Sequence, residues 1–268
     1  MPLRPATKLS TAVLLLVSAG GTSLWMHHLR IEEASKAAAN EAAFPHRMLW
    51  VWERPENLRT IDTSSTGVAV LEETLQLGSE VVRTPRRQPM LLPAGVTRIS
   101  VVRIETERFR GHENDRRLLQ DAVAELQRIA AQPGTAALQI DFDARKSERQ
   151  FYRRLIEELR GRMPEGMPLE MTALISWCSS DDWIADLPVN AAIPMFFRME
   201  PDRKRLDTRE AREYSLREPL CAGSAGVSTA EPWPQDISRK RVFIFSERGW
   251  KDDMTTVESA VDTELARR

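Results

Sequence analysis

The stretch Leu138-Gln-Ile-Asp-Phe-Asp143 decides how the rest of the chain reads. In an extended strand, Leu138, Ile140 and Phe142 fall on one side and Gln139, Asp141 and Asp143 on the other. The apolar side suits a layer of covering helices. The acidic side cannot be buried against apolar matter without partners, because an unpaired buried charge is very costly. A strand with one greasy face and carboxylates near its C-terminal end suits a barrel, whose interior opens into a cleft at that end.

Working outward, Asp115 to Ala131 carries Leu118, Leu119, Ala122, Val123, Leu126, Ile129 and Ala130 at helical spacing. On the other side, Ser147 and Gln150 make a Ser-x-x-Gln capping box, with Phe151, Leu155, Ile156 and Leu159 as the buried stripe behind it. Arg98 to Thr106 and Leu169 to Trp177 read as strands. Strand, helix, strand, helix, strand implies parallel pairing with right-handed crossovers. Met48 to Trp52, Gly67 to Leu71, Ala192 to Phe197, Ala225 to Ser228 and Arg241 to Phe245 are further short apolar runs. Leu75 to Pro93 reads as an irregular hairpin.

The count is about eight strands, which predicts a small (β/α)8 barrel of the TIM type; an open doubly wound sheet is the alternative. The roughly 200 residues from Arg47 to Trp250 lie at the lower end of that fold's range, about 200. Covering helices are therefore expected to be short or missing between the first three strands and around Trp183 to Leu187.

The chain has 268 residues, 29% charged and 42% apolar, which reads as globular. Its net charge of −1 offers no bulk attraction to nucleic acid. The expected organisation is 1–27 as signal anchor or signal peptide, 28–46 as an Ala-rich helical spacer, 47–250 as the barrel and 251–268 as a polar tail. Arg4 and Lys8 precede an uncharged run from Leu9 to Met26, an export signature. An uncleaved anchor would use the whole run, and a cleaved signal peptide would be cut near Ala19. Either way the domain lies outside the cytoplasm: tethered to the inner membrane facing the periplasm, or secreted. Cys178 and Cys221 are the only cysteines, and spacing alone leaves their pairing open.

Strand ends are where the chemistry of such a barrel sits. They offer Trp52, Arg103, Glu105, Asp141, Asp143, Trp177, Arg198, Glu231, Trp233 and Trp250. Flat indoles stack on sugar rings and carboxylates bind hydroxyls, so this mixture points to a glycan or polysaccharide partner. Asp143 and Glu231 are the expected reacting pair, Glu231 as proton donor beside Trp233, with Asp141 orienting Asp143. Trp52, Trp177, Trp233, Trp250, Arg103, Glu105 and Arg198 are expected to bind substrate. Two bland readings compete: Trp50 and Trp177 sit in apolar runs and suit the core, and Arg103, Glu105 and Asp141 can simply neutralise one another. Two histidines, His46 at the domain's edge and His112 in a loop, do not suggest a zinc site or a Ser-His-Asp triad, and no glycine-rich phosphate loop is present, so neither metal nor cofactor is expected.

Leu-Trp-Val-Trp-Glu-Arg-Pro from Leu49, Gln-Ile-Asp-Phe-Asp-Ala from Gln139, Thr-Ala-Leu-Ile-Ser-Trp-Cys from Thr172, Pro-Met-Phe-Phe-Arg-Met from Pro194, Gly-Val-Ser-Thr-Ala-Glu-Pro-Trp from Gly226 and Val-Phe-Ile-Phe-Ser from Val242 together resemble an uncharacterised bacterial family of unknown function. Ile140-Asp141-Phe142-Asp143 is also similar to the fourth-strand signature of chitinase-like glycoside hydrolases, which implies a glycoside-hydrolase-like barrel. In that signature a catalytic glutamate stands two positions after the last aspartate. Here the position holds Arg145, which cannot serve as a general acid.

Overall fold

A computed structural model describes residues 35–106, 116–197, 216–234, 237 and 240–254. A helix, α1, covers residues 35–42. The strands follow as β1 (Arg47–Val51), β2 (Glu56–Asn57), β3 (Thr66–Leu77), β4 (Val81–Pro85), β5 (Met90–Leu91), β6 (Arg98–Thr106), β7 (Ala137–Asp141), β8 (Leu169–Leu174), β9 (Ala191–Met195), β10 (Ser224–Ser228) and β11 (Arg241–Phe245). Helix α2 (Arg116–Ala130) joins β6 to β7, α3 (Arg149–Arg160) joins β7 to β8, and the short α4 (Ile175–Ser179) follows β8 directly.

Eight strands close on themselves in the order β1, β3, β6, β7, β8, β9, β10, β11 and back to β1, every pair parallel. Each barrel strand therefore pairs with the next barrel strand in the chain, as the TIM arrangement requires. The expected barrel is present and the open sheet is not. Its helical layer is incomplete: among the described residues, only β2, β4 and β5 lie in the connections joining β1, β3 and β6.

The two-residue period sorts side chains into layers. Leu138, Ile140 and Phe142 pack outward with the apolar faces of α2 and α3. The α2 face is the one its spacing predicts, Leu118 through Ala130. Inside the barrel stand Met48, Trp50, Ala69, Ile99, Val101, Ala137, Ile193 and Phe243. Trp50 fills the centre. Its indole N–H donates to Gln139 Oε1 at 2.7 Å, and its ring packs on Phe243 at 5.3 Å and Phe197 at 6.0 Å. The ring lies so close to β10 that a Cβ at Gly226 would stand 2.7 Å from Trp50 Cη2. A side chain there and the indole cannot both be accommodated without movement.

Several local expectations need correction. The turn into α3 is not capped by Ser147 and Gln150. A 310 turn over Lys146–Glu148 precedes it, and the buried Glu148 carboxylate reaches back to accept the Arg145 N–H at 2.7 Å. The strand from Leu169 stops at Leu174, so Trp177 belongs to α4. Glu73 is turned onto α2 by a bulge in β3 between Leu71 and Glu73, where Arg83 Nε meets it at 2.6 Å and Arg128 also bonds it. The spacer is no free linker from residue 35 onward, because Ala37 is buried and Asn40 Nδ2 donates to Gly166 O at 2.7 Å. A helix without an apolar stripe docks here through one small contact and polar ties.

Cys178 and Cys221 form a disulfide that fastens α4 to the 310 turn Pro219–Cys221 ahead of β10. The 1–27 segment and most of the 251–268 tail lie outside the described residues. No helix among those described is long and apolar enough to cross a membrane.

Gly226→Ala is expected to destabilise the protein by about 1–3 kcal/mol in urea unfolding, the cost of overpacking a filled core. Gly78→Ala, where an added Cβ meets nothing within 4 Å, is the matched control and should cost far less.

Candidate active site

At the C-terminal mouth the period-two pattern leaves Arg103 and Glu105 of β6, Asp141 of β7 and Thr172 of β8 on the interior side. Arg103 and Asp141 are register partners across β6 and β7. The Arg103 guanidinium donates to Asp141 Oδ2 at 3.1 Å and to Glu105 Oε1 at 2.8 Å. Thr172 Oγ1 donates to the other oxygen, Asp141 Oδ1, at 2.8 Å. Asp141 is thus buried but held on both oxygens, as a buried carboxylate has to be.

Burial pushes the Asp141 carboxyl up to about 6, and the negative charge of Asp143 adds to this against the pull of Arg103 and Thr172. Asp143, just past the strand, is raised by burial of its inner side and drawn back by Arg103. Its exposure at the rim limits that shift. The pair therefore combines a buried carboxyl that takes up a proton as pH falls through about 6 with one open to solvent. The expected neutralising network of Arg103, Glu105 and Asp141 exists. It is not sealed, since the Arg103 side chain is 36% exposed and that of Glu105 is 45% exposed.

An aromatic arc faces this acidic one. In the closed ring β11 stands diametrically opposite β7, and β1 opposite β8. Trp52, just past β1, meets Phe245 of β11 edge-on at 6.0 Å, and Phe245 stacks on Phe197 at 5.7 Å. Trp52 is half-buried, and Phe245 and Phe197 are buried behind it.

The other residues expected here divide. Trp177 is 1% exposed, packed edge-on against Trp183 at 4.8 Å in the outer helix layer. Trp250 is 2% exposed; its indole donates to Trp50 O at 3.0 Å and its backbone N–H to Glu56 Oε2 at 3.2 Å. Neither presents a face to a ligand, which corrects their assignment as substrate platforms. Each large apolar ring left the mouth because a helical turn starts at or just before it and swings it onto the outer layer. Trp233 is half-buried against the outer cluster, its indole donating to Ser228 O at 2.9 Å. Glu231 follows the end of β10, the seventh barrel strand, and Asp143 the end of β7, the fourth, as the strand count predicts. Arg198 lies outside the described residues. Arg145 turns to the surface, its guanidinium 4.0 Å from Glu148.

Thr172 and Asp253 were not singled out from the sequence. A polar residue at the inward position of β8 was a usable signal for Thr172. Asp253 carried none, being eight residues beyond the last strand, yet it is fully buried beneath the rim of β10 and β11. It accepts from Thr229 Oγ1 at 2.6 Å, Ser246 Oγ at 2.8 Å and Arg248 Nε at 2.8 Å, so one carboxylate ties the two loops together. Among the described residues no group of three or more His, Cys, Asp or Glu side chains is placed to hold a metal ion.

No family model and no curated protein matches the chain. The resemblance to an uncharacterised bacterial family therefore has no matched model behind it. Among solved structures, the chain is similar to the Bacillus cereus spore cortex-lytic enzyme SleL, at 14% identity and a TM-score of 0.41. The likeness covers 57% of this chain and 42% of that one, so it spans less than half of that enzyme's length. It is too distant to transfer chemistry, and the barrel rests on its own strand pairing.

Asp253 supplies a pH test. Burial works to raise its carboxyl, but the bonds from Thr229, Ser246 and Arg248 win and hold it at about 2, below the ordinary 3.8. A lowered carboxyl stabilises the fold above its unfolded value, and that stabilisation is lost as pH falls from about 4 towards 2. Asp253→Asn is expected to cost about 1–3 kcal/mol at pH 6 in urea unfolding, with the gap to the unmutated protein closing over that acid range.

Proposed function

We propose that this protein is an exported, membrane-tethered barrel that hydrolyses an envelope or extracellular glycan at its C-terminal mouth. The observation that carries this reading is the split mouth, with Asp141 and Asp143 on one arc and Trp52 with Phe245 on the opposite one. A pyranose ring has an apolar face and a rim of hydroxyls, and such a mouth offers a partner to each.

In this reading Asp143 is the nucleophile or base and Glu231 the proton donor. The donor protonates the leaving glycosidic oxygen as the C–O bond breaks, and water supplies the hydroxyl that remains on the anomeric carbon. Asp141, fixed by Arg103 and Thr172, is the positioning carboxyl beneath Asp143. Trp52, Arg103 and Glu105 line the substrate path, and Arg198 is proposed for the same path. Export draws support from the Cys178–Cys221 disulfide, since such bonds persist in oxidising compartments. The tether rests on the Leu9 to Met26 run alone.

A second reading, a non-catalytic barrel that recognises glycan, is favoured by one feature. Arg145 stands where the resembling glycosidases carry their acid, and its side chain is 67% exposed rather than aimed into the mouth.

Turnover on a panel of chromogenic glycosides and cell-wall fragments separates the two. Asp143→Asn and Glu231→Gln are each expected to fold, to bind glycan, and to lose at least about a hundredfold in kcat, the scale of general acid–base catalysis. Unchanged turnover in either variant removes that residue from the chemistry. Saturable glycan binding with no cleavage by the unmutated protein selects the second reading. Reporters fused after Ala43 test export: strong activity from one that works only in the cytoplasm would reject it.

A further inference from the structure

At the barrel floor, opposite the mouth, two carboxylates share one guanidinium. Glu170 of β8 is fully buried; Gln139 Nε2 donates to its Oε2 at 3.0 Å, while its Oε1 accepts no hydrogen bond. That oxygen lies 3.9 Å from Arg241 Nη1 of β11. The same nitrogen is engaged by Glu41 of α1 at 2.8 Å, and Arg241 Nη2 bonds the Glu41 main-chain carbonyl. The guanidinium also sits over the Phe44 ring, 5.4 Å from its centroid. Arg241 is thus the main tie between the helix and the barrel interior, and it stands beside a second carboxylate of which one oxygen accepts no hydrogen bond.

We propose that α1 is a detachable plug of the barrel floor, latched by Arg241 and released when Glu170 takes that guanidinium from Glu41. With a proton on Glu170 the floor holds one negative and one positive charge, a matched pair. Without it, two negative charges face one positive charge in a largely buried site, and one carboxylate has to leave. Glu170 is fixed in a central strand. Glu41 is on a helix at the edge, already 15% exposed, and can turn out to solvent.

Burial, with the charge of Glu41, raises the Glu170 carboxyl to about 8 against the pull of Arg241 and Gln139. A raised carboxyl is neutral at pH 7 and ionises as pH climbs through that value, so the latch opens on the alkaline side. The residues in register with Glu170 and Arg241 on β9 and β10 are Ala191 and Ser224, which bring no charge. Other charged or titratable groups at this end, among the described residues, are Lys36, paired with Glu165 at 2.9 Å, His46 and Arg47 at the entry to β1, Arg98 at the entry to β6, and Lys240 ahead of β11, which donates to Ala222 O. Opening frees residues 35–46, an extended reach of about 40 Å, between the barrel and whatever precedes residue 35.

Amide exchange of residues 35–42 in the full chain, corrected for its intrinsic pH dependence, tests this from pH 6 to 10. Protection is expected to fall at least tenfold through about pH 8, while β7 stays protected. In Glu170→Gln the protection should remain flat. In Glu41→Gln it should start lower and show no step, which keeps the test available if the first variant does not fold. A flat profile in the unmutated protein, a step retained in either variant, or a loss shared with β7 overturns the latch.

Discussion

The hydrogen bond from the Trp50 indole to Gln139 is the constraint on which this barrel turns. An eight-stranded ring has an interior just wide enough for side chains to fill. Here one indole occupies most of the centre. It requires glycine on β10 at Gly226, aromatic neighbours at Phe243 and Phe197, and a polar partner for its N–H on β7. A buried indole N–H without that partner would forfeit about 1–3 kcal/mol. Gln139 is thereby fixed by both ends of its amide, Trp50 on one side and Glu170 on the other.

From that centre a line of polar groups runs through the otherwise apolar interior in both directions. Towards the floor run Glu170, Arg241 and Glu41, and towards the mouth Asp141, Thr172 and Arg103. Apolar residues in their places would serve stability as well or better, since buried ion pairs seldom repay their desolvation. Such a column of charge is better explained by what it does at its two ends than by what it contributes to folding. At the mouth it holds a carboxyl raised by burial to about 6. At the floor it joins the barrel to the helix that leads into it.

The aromatic and acidic arcs of the mouth owe their opposition to closure. Asp141 and Phe245 are about a hundred residues apart in sequence, and only a ring of eight strands in this order sets β7 across from β11. The clamp at Asp253 works on the same scale, drawing Thr229 and Ser246 onto one carboxylate after two separate strands have ended.

Sequence by itself determined whatever depends on local periodicity. The alternation in Leu138 to Asp143 assigned each side chain to a layer, the spacing of Leu118 through Ala130 assigned the buried face of α2, and the number of short apolar runs gave the barrel its eight strands. It also offered Arg103, Glu105 and Asp141 as groups able to neutralise one another, and the structure brings them together. Only the tertiary structure decided which indoles face the mouth. Trp52 stays there because β1 runs straight to it, whereas Trp177 and Trp250 are carried away by helical turns starting one or two residues earlier or at the residue itself. A change of a residue or two in where a strand gives way to a helix reverses the direction of a side chain, and the energy that sets that boundary comes from packing against distant segments rather than from the local residues. The pairing of Cys178 with Cys221, the docking of α1 and the burial of Asp253 were decided in the same way, by groups far apart in the chain that meet only once the ring is closed.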